Sequence, residues 1–129
     1  MEIENIIFNE IVFITDLIIK ELSDDINLKH DFRLMKSELI ESNMQQNYSM
    51  KNIKRIYLKY RTNEIKIYDK KIIEYVKTIQ SLIQYLNEHL LFYDEKLQTP
   101  VSSSFENCLL YFFDILESLI KWIGRWYVC

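Results

Sequence analysis

Two apolar stripes in the second half of the chain limit what it can fold into. One reads Ile72, Val76, Ile79, Ile83, Leu86, Leu90, Tyr93, Leu97. The other reads Phe105, Leu109, Phe112, Leu116, Leu119, Ile123, Trp126. Both advance by alternating steps of four and three residues, which a helix turns into one continuous apolar edge. The first stripe spans 26 residues, about 39 Å of helix at ~1.5 Å per residue. Thr99-Pro100 stops it, because proline disfavours helical geometry in the residue before it. Ser103 with Glu106 three residues on reads as a capping box for the second. The short connection predicts an antiparallel helical hairpin over about 69–97 and 103–127.

The first half repeats the rhythm. Ile7, Ile11, Ile14 and Ile18 mark a helix over 2–22, and Phe8, Val12 and Ile19 widen its apolar edge. Ser23-Asp24-Asp25 supplies a break and a cap for the next helix. Leu28, Phe32, Met35 and Leu39 mark that helix over 26–45, and Ser42 to Ser49 reads as a polar loop. Residues 50–61 form a short helix with Ile53, Ile56, Tyr57 and Tyr60 on one face. Thr62-Asn63 breaks the chain, and Ile65 and Ile67 alternate with polar residues as in a brief extended piece.

The expected fold is therefore all-α: a compact helical bundle of four main helices and one short one, a single domain over 1–129. Composition supports this by exclusion. One glycine and one proline cannot supply the turns of a β architecture. With 129 residues and 49% of them apolar, a real core is within reach. Gly124 is expected to weaken or end the last helix. Sustained heptads also drive dimers, so a homodimer is the alternative to packing within one chain. Alanine, the best helix former, is absent, while Ile, Lys, Asn and Tyr abound. Those residues have AT-rich codons, which points to an AT-rich bacterial, phage or viral genome.

Charge is unevenly spread. Net charge is −3, yet residues 1–25 carry seven acids and one base, and residues 51–77 carry nine bases and three acids. Such asymmetry marks a binding surface or internal pairing. Lys51, Lys54, Arg55, Lys59 and Arg61 gather on the polar side of the short helix with no acid among them. This basic face could follow a nucleic-acid backbone, with Tyr57 and Tyr60 near enough to stack on bases. Against that, the tyrosines fall on the apolar side and the protein as a whole is acidic. The simpler expectation is a face that is solvated or neutralised by the acidic first helix, with an acidic protein partner as a third option.

Motifs that carry chemistry are missing. His30 and His89 sit in no metal-binding pattern, and no Cys-x-x-Cys occurs. His89 flanks a seam and reads as a partly buried packing residue. Asp24-Asp25, Asp94-Glu95 and Asp114 with Glu117 read as solvated surface, since helical di-metal sites place carboxylates inward with Glu-x-x-His. Cys108 reads as a small core residue. One glycine cannot build a phosphate loop. No catalytic residue, metal or cofactor is expected. Two unpatterned cysteines, an acidic start and no long uncharged apolar run predict a cytoplasmic protein without a membrane span. The sequon Asn47-Tyr48-Ser49 carries no meaning in that setting.

The functional expectation is a non-enzymatic protein that works by protein–protein contact, of inhibitor, immunity or adaptor type. Trp122, Arg125, Trp126 and Tyr127 at the end of the last helix are the expected anchors, being residue types that dominate binding hot spots. The same residues could instead close the end of the bundle or lie on a membrane surface. The alternative function is a small helical subunit of a nucleoprotein complex, CRISPR-type, touching nucleic acid through the basic helix. A scattered enzyme site using a histidine is the third.

Overall fold

The computed structural model describes residues 2–45, 48–62, 64–91 and 104–128; the side chains of Glu2, 90–91 and 121–128 are outside the described set. Among these residues the chain forms five α-helices, a π-helical turn and no β-strand. They are α1 (Glu2–Glu21), α2 (Ile26–Met44), α3 (Lys51–Thr62), α4 (Lys70–Leu86) and α5 (Ser104–Val128), with the π-helical turn Asn87–Leu91 continuing α4.

The helix starts follow from local chemistry. Asp25 caps α2, its carboxylate accepting from the Leu28 amide at 3.0 Å. Asp69 caps α4, accepting from the Lys71 and Ile72 amides at 2.8 and 3.1 Å. Each satisfies amides that a helix end leaves without partners. Met50 turns the chain into α3 with a left-handed backbone, φ 52°, which costs a non-glycine residue ~1–2 kcal/mol. Its side chain is buried, which offsets that strain.

Named contacts fix the directions. Glu21 at the end of α1 pairs with Lys71 at the start of α4, at 3.0 Å, so these helices run antiparallel. Asp16 of α1 meets Lys36 of α2 across a tight turn at 22–25, again antiparallel. Glu38 reaches Ile53 and Asp31 reaches Tyr60, so α2 and α3 are antiparallel in strict register. Tyr57 meets Tyr111, and the groove beside them joins Met50 to Asn107, so α3 runs parallel to α5. The result is a four-helix ring in the order α1, α2, α5, α4, with α3 laid over the seam between α2 and α5.

The stripes read from sequence form the core. Ile11, Ile14 and Ile18 of α1, Leu28, Phe32, Met35 and Leu39 of α2, and Ile53, Ile56 and Tyr60 of α3 are buried. So are Ile72, Val76, Ile79, Ile83 and Leu86 of α4, and Leu109, Phe112, Leu116 and Leu119 of α5. All belong to one apolar cluster. The buried seam residues thus pack on one another within the chain, with Phe105 partly buried beside them. The two long helices do pack on each other, but each makes its broadest contact elsewhere, α4 on α1 and α5 on α3.

Two expectations meet a different outcome, and a third gains a place in the fold. Gly124 does not end α5, which continues to Val128; a lone glycine costs ~1 kcal/mol of propensity, too little to stop a helix. Residues 65–67, read as a brief extended piece, are non-helical as expected. They form a strap that crosses α5, where the Ile67 amide donates to the Leu119 carbonyl at 2.9 Å and Lys66 Nζ to the Ser118 carbonyl at 2.7 Å. His89 is exposed on the π-helical turn, its ring 4.7 Å from that of Tyr85. The expected helix over Asn87–Leu97 is described only to Leu91. Tyr93, Leu97, Asp94-Glu95, the Thr99-Pro100 stop, the Ser103 cap and Asn47 lie outside the described residues.

Candidate functional site

The basic helix α3 is held by carboxylates of α2. Asp31 is 3% exposed; it accepts from the Tyr60 hydroxyl at 2.5 Å and from Lys59 Nζ at 2.7 Å. Glu38 is 2% exposed and accepts from the Ile53 amide at 2.6 Å, in the first turn of α3. There it supplies an acceptor to an orphan amide and a negative charge to the positive end of the helix. Glu38 beside the Tyr48 hydroxyl, together with burial and Glu41, pushes that phenol up to about 12. Burial, with Asp31 beside it, pushes the Tyr60 phenol up as well.

These two acids correct one expectation. The acidic first helix does not neutralise α3: its Asp16 pairs with Lys36 of α2 and its Glu21 with Lys71 of α4. Of the five basic residues, Lys59 is tied to Asp31. Lys51, Lys54, Arg55 and Arg61 are exposed, and no described carboxylate forms an ion pair with them. Sequence reading passed over Asp31 and Glu38. The signal was available: both sit in the stripe Leu28, Asp31, Met35, Glu38, Ser42, where an acid among buried positions calls for a partner.

Tyrosine placement narrows what α3 can do. Tyr60 is core and bonded to Asp31. Tyr57 is half-buried, edge-on to Tyr111 at 5.2 Å, with Arg61 donating to its hydroxyl at 3.3 Å. A groove of about 370 Å³ beside it runs between α3 and α5 and is lined by Lys54, Tyr57, Asn107, Leu110, Tyr111 and Asp114. Desolvation and the neighbouring Glu117 raise the Asp114 carboxyl, while Arg61 opposes them.

The remaining candidates for chemistry disperse. His30 and His89 are both exposed and lie on different elements. Cys108 is buried beside Ser42, and burial pushes its thiol up to about 12, the opposite of an activated cysteine. Among the described residues no group of three or more His, Cys, Asp or Glu could hold a metal ion. None of their helices is long and apolar enough to cross a membrane. Trp122, Arg125, Trp126 and Tyr127 fall on the last turns of α5, and their side chains lie outside the described set.

A second apolar stripe lies on the outside of α1. Ile3, Ile6 and Phe13 are 53%, 64% and 56% exposed. Half-buried Leu17 continues the line, with Glu10 within it. On a helix wheel this ridge faces away from Ile11, Ile14 and Ile18, which enter the core. Nothing among the described residues covers it.

No protein-family model, curated protein or solved structure matches this chain.

Proposed function

We propose that this is a non-enzymatic protein that acts in the cytoplasm by docking on another protein, in the manner of inhibitors, immunity proteins and adaptors. The observation that carries this reading is the outer ridge of α1. Large apolar side chains left in water in a line along one helix mark a surface that gains by being covered. Trp122, Arg125, Trp126 and Tyr127 are further anchors on residue type alone. Scattered histidines and a thiol held protonated by burial support the view that the protein works by contact. Site-specific photo-crosslinking in cells of the source organism tests the reading. A photoreactive residue at position 13 should give a discrete adduct, and one at exposed Lys77 of α4 should not. No adduct from position 13, or the same adducts from both positions, contradicts it.

A second reading has its own observation. Lys51, Lys54 and Arg55 are exposed cations in no ion pair with a described carboxylate, and Arg61, near Asp114, extends their row, as in a subunit that touches nucleic acid in a nucleoprotein complex. With Tyr60 committed to the core, that contact would go to phosphates more than to bases. A gel shift with single-stranded and duplex RNA and DNA across a salt series decides it. Binding lost in Lys54→Glu with Arg55→Glu supports it, and absence of binding at low salt removes it.

A further inference from the structure

A groove on the other side of α2 carries the densest positive charge outside α3. Its volume is about 520 Å³, and Lys29, Arg33 and Lys36 of α2 line it with Lys20 of α1. The three α2 cations follow the helical stripe 29, 33, 36, which Ile40 continues. They therefore stand along the edge of α2 that faces α1. The antiparallel register set by Asp16 and Lys36 brings Lys20 opposite the turn that holds Arg33. Asp16 is the one carboxylate in the lining, and it is already bound to Lys36 at 2.6 Å. No described carboxylate forms an ion pair with Lys20, Lys29 or Arg33.

This placement runs against the charge of the whole molecule, which is −3. Like charges gathered around one groove repel one another and favour an anion between them. Lys29 and Lys36 are seven residues apart, about 10 Å along the helix axis. Several phosphates in series can meet such a row along its length, whereas a single phosphate engages the whole row only if the side chains converge on one point. The floor is Ile19 and Ile40, and no aromatic ring lines the groove. It therefore offers charge and the Ser37 hydroxyl, but no platform for a base.

We propose that the α1–α2 groove binds a chain of linked phosphate groups, reading them by charge and spacing. The two sources of that chemistry are a free polyphosphate and the backbone of a single-stranded nucleic acid. Arg33 is the forked donor at the centre of the row, suited to bidentate contact with phosphate oxygens. Lys29 and Lys20 flank it, and Lys36 contributes while held by Asp16.

Isothermal titration calorimetry at low salt tests this, with tripolyphosphate and orthophosphate as probes on the full chain. Tripolyphosphate should bind at least tenfold tighter than orthophosphate, and more weakly as salt rises. Lys29→Glu with Arg33→Glu should lower its affinity at least tenfold while circular dichroism stays that of the wild type. Lys54→Glu with Arg55→Glu on α3 should change it less than twofold. Arg33→Lys alone should give an intermediate loss, which keeps the test informative should the double variant misfold. An oligothymidylate added in competition identifies the source: displacement of tripolyphosphate assigns the groove to a nucleic-acid backbone, and no displacement assigns it to free polyphosphate. Absence of tripolyphosphate binding, equal affinity for the two probes, or equal loss in the α3 variant overturns the proposal.

Discussion

At the scale of single residues, the decisive groups are two buried acids and the tyrosines beside them. Asp31 and Glu38 face α3 from α2 and use their charge on a hydroxyl, an ammonium and a helix amide. Removing a hydrogen bond to a charged, buried acceptor costs ~1.5–3 kcal/mol. Tyr60→Phe should therefore lower the unfolding free energy by about that amount in urea melts, and a loss below ~0.5 kcal/mol, the range of neutral surface changes, would show the bond to be idle. Tyr48 adds a pH dependence. Its folded-state pKa of about 12 lies above the ordinary 10.0, so the unfolded chain gives up this proton first. Its contribution is complete below pH 10 and is lost as pH rises through about 12. Tyr60 acts in the same direction. Denaturation curves from pH 9 to 12 should show declining stability, and Tyr48→Phe should flatten that decline. Unchanged slopes in the variant would contradict the assignment.

At the scale of elements, the helices and the packing of α4 on α5 were legible, and the other neighbours were not. The four-three spacing of Ile72 to Leu86, or of Leu28 to Leu39, is a local property of consecutive turns, so the sequence displays it directly. Asp25 and the start near Asp69 were equally local. That Glu38 caps α3, by contrast, depends on bringing position 38 beside position 53, and no short window contains that register. The same holds for the groove, whose cations come from Lys20 on one helix and Lys29 to Lys36 on the next. The alternation at 64–67 showed a short non-helical piece with one side buried, but not that it would cross α5. Ile67 is 4% exposed, packed in the core where the strap crosses α5. Truncating a buried isoleucine costs ~2–5 kcal/mol, so Ile67→Ala should destabilise the whole protein by that order. Because the strap leads directly into α4, amide exchange should quicken first at the start of α4. Faster exchange confined to α2 would contradict the role given to the strap.

At the scale of the whole molecule, α1 is the element whose two faces differ in purpose. Its inner edge enters the core with α2 and α4, while Ile3, Ile6 and Phe13 stand in water. The spacing of that outer stripe was visible in the sequence, but a helix apolar on nearly all sides does not announce which face its own fold will cover. The ring of α1, α2, α5 and α4, with α3 laid on α2 and α5, decides it. This division of faces underlies the reading of the protein as one that works by contact, and it has a direct measurement. The thermal midpoint of Ile6→Ser with Phe13→Ser should stay within about 2 °C of the wild type, as for exposed positions. Ile11→Ala, made alongside in the core, should lower the midpoint by roughly 8 °C or more. A fall for the outer pair as large as that for Ile11→Ala would place the ridge inside the fold, with nothing left on α1 for a partner to hold.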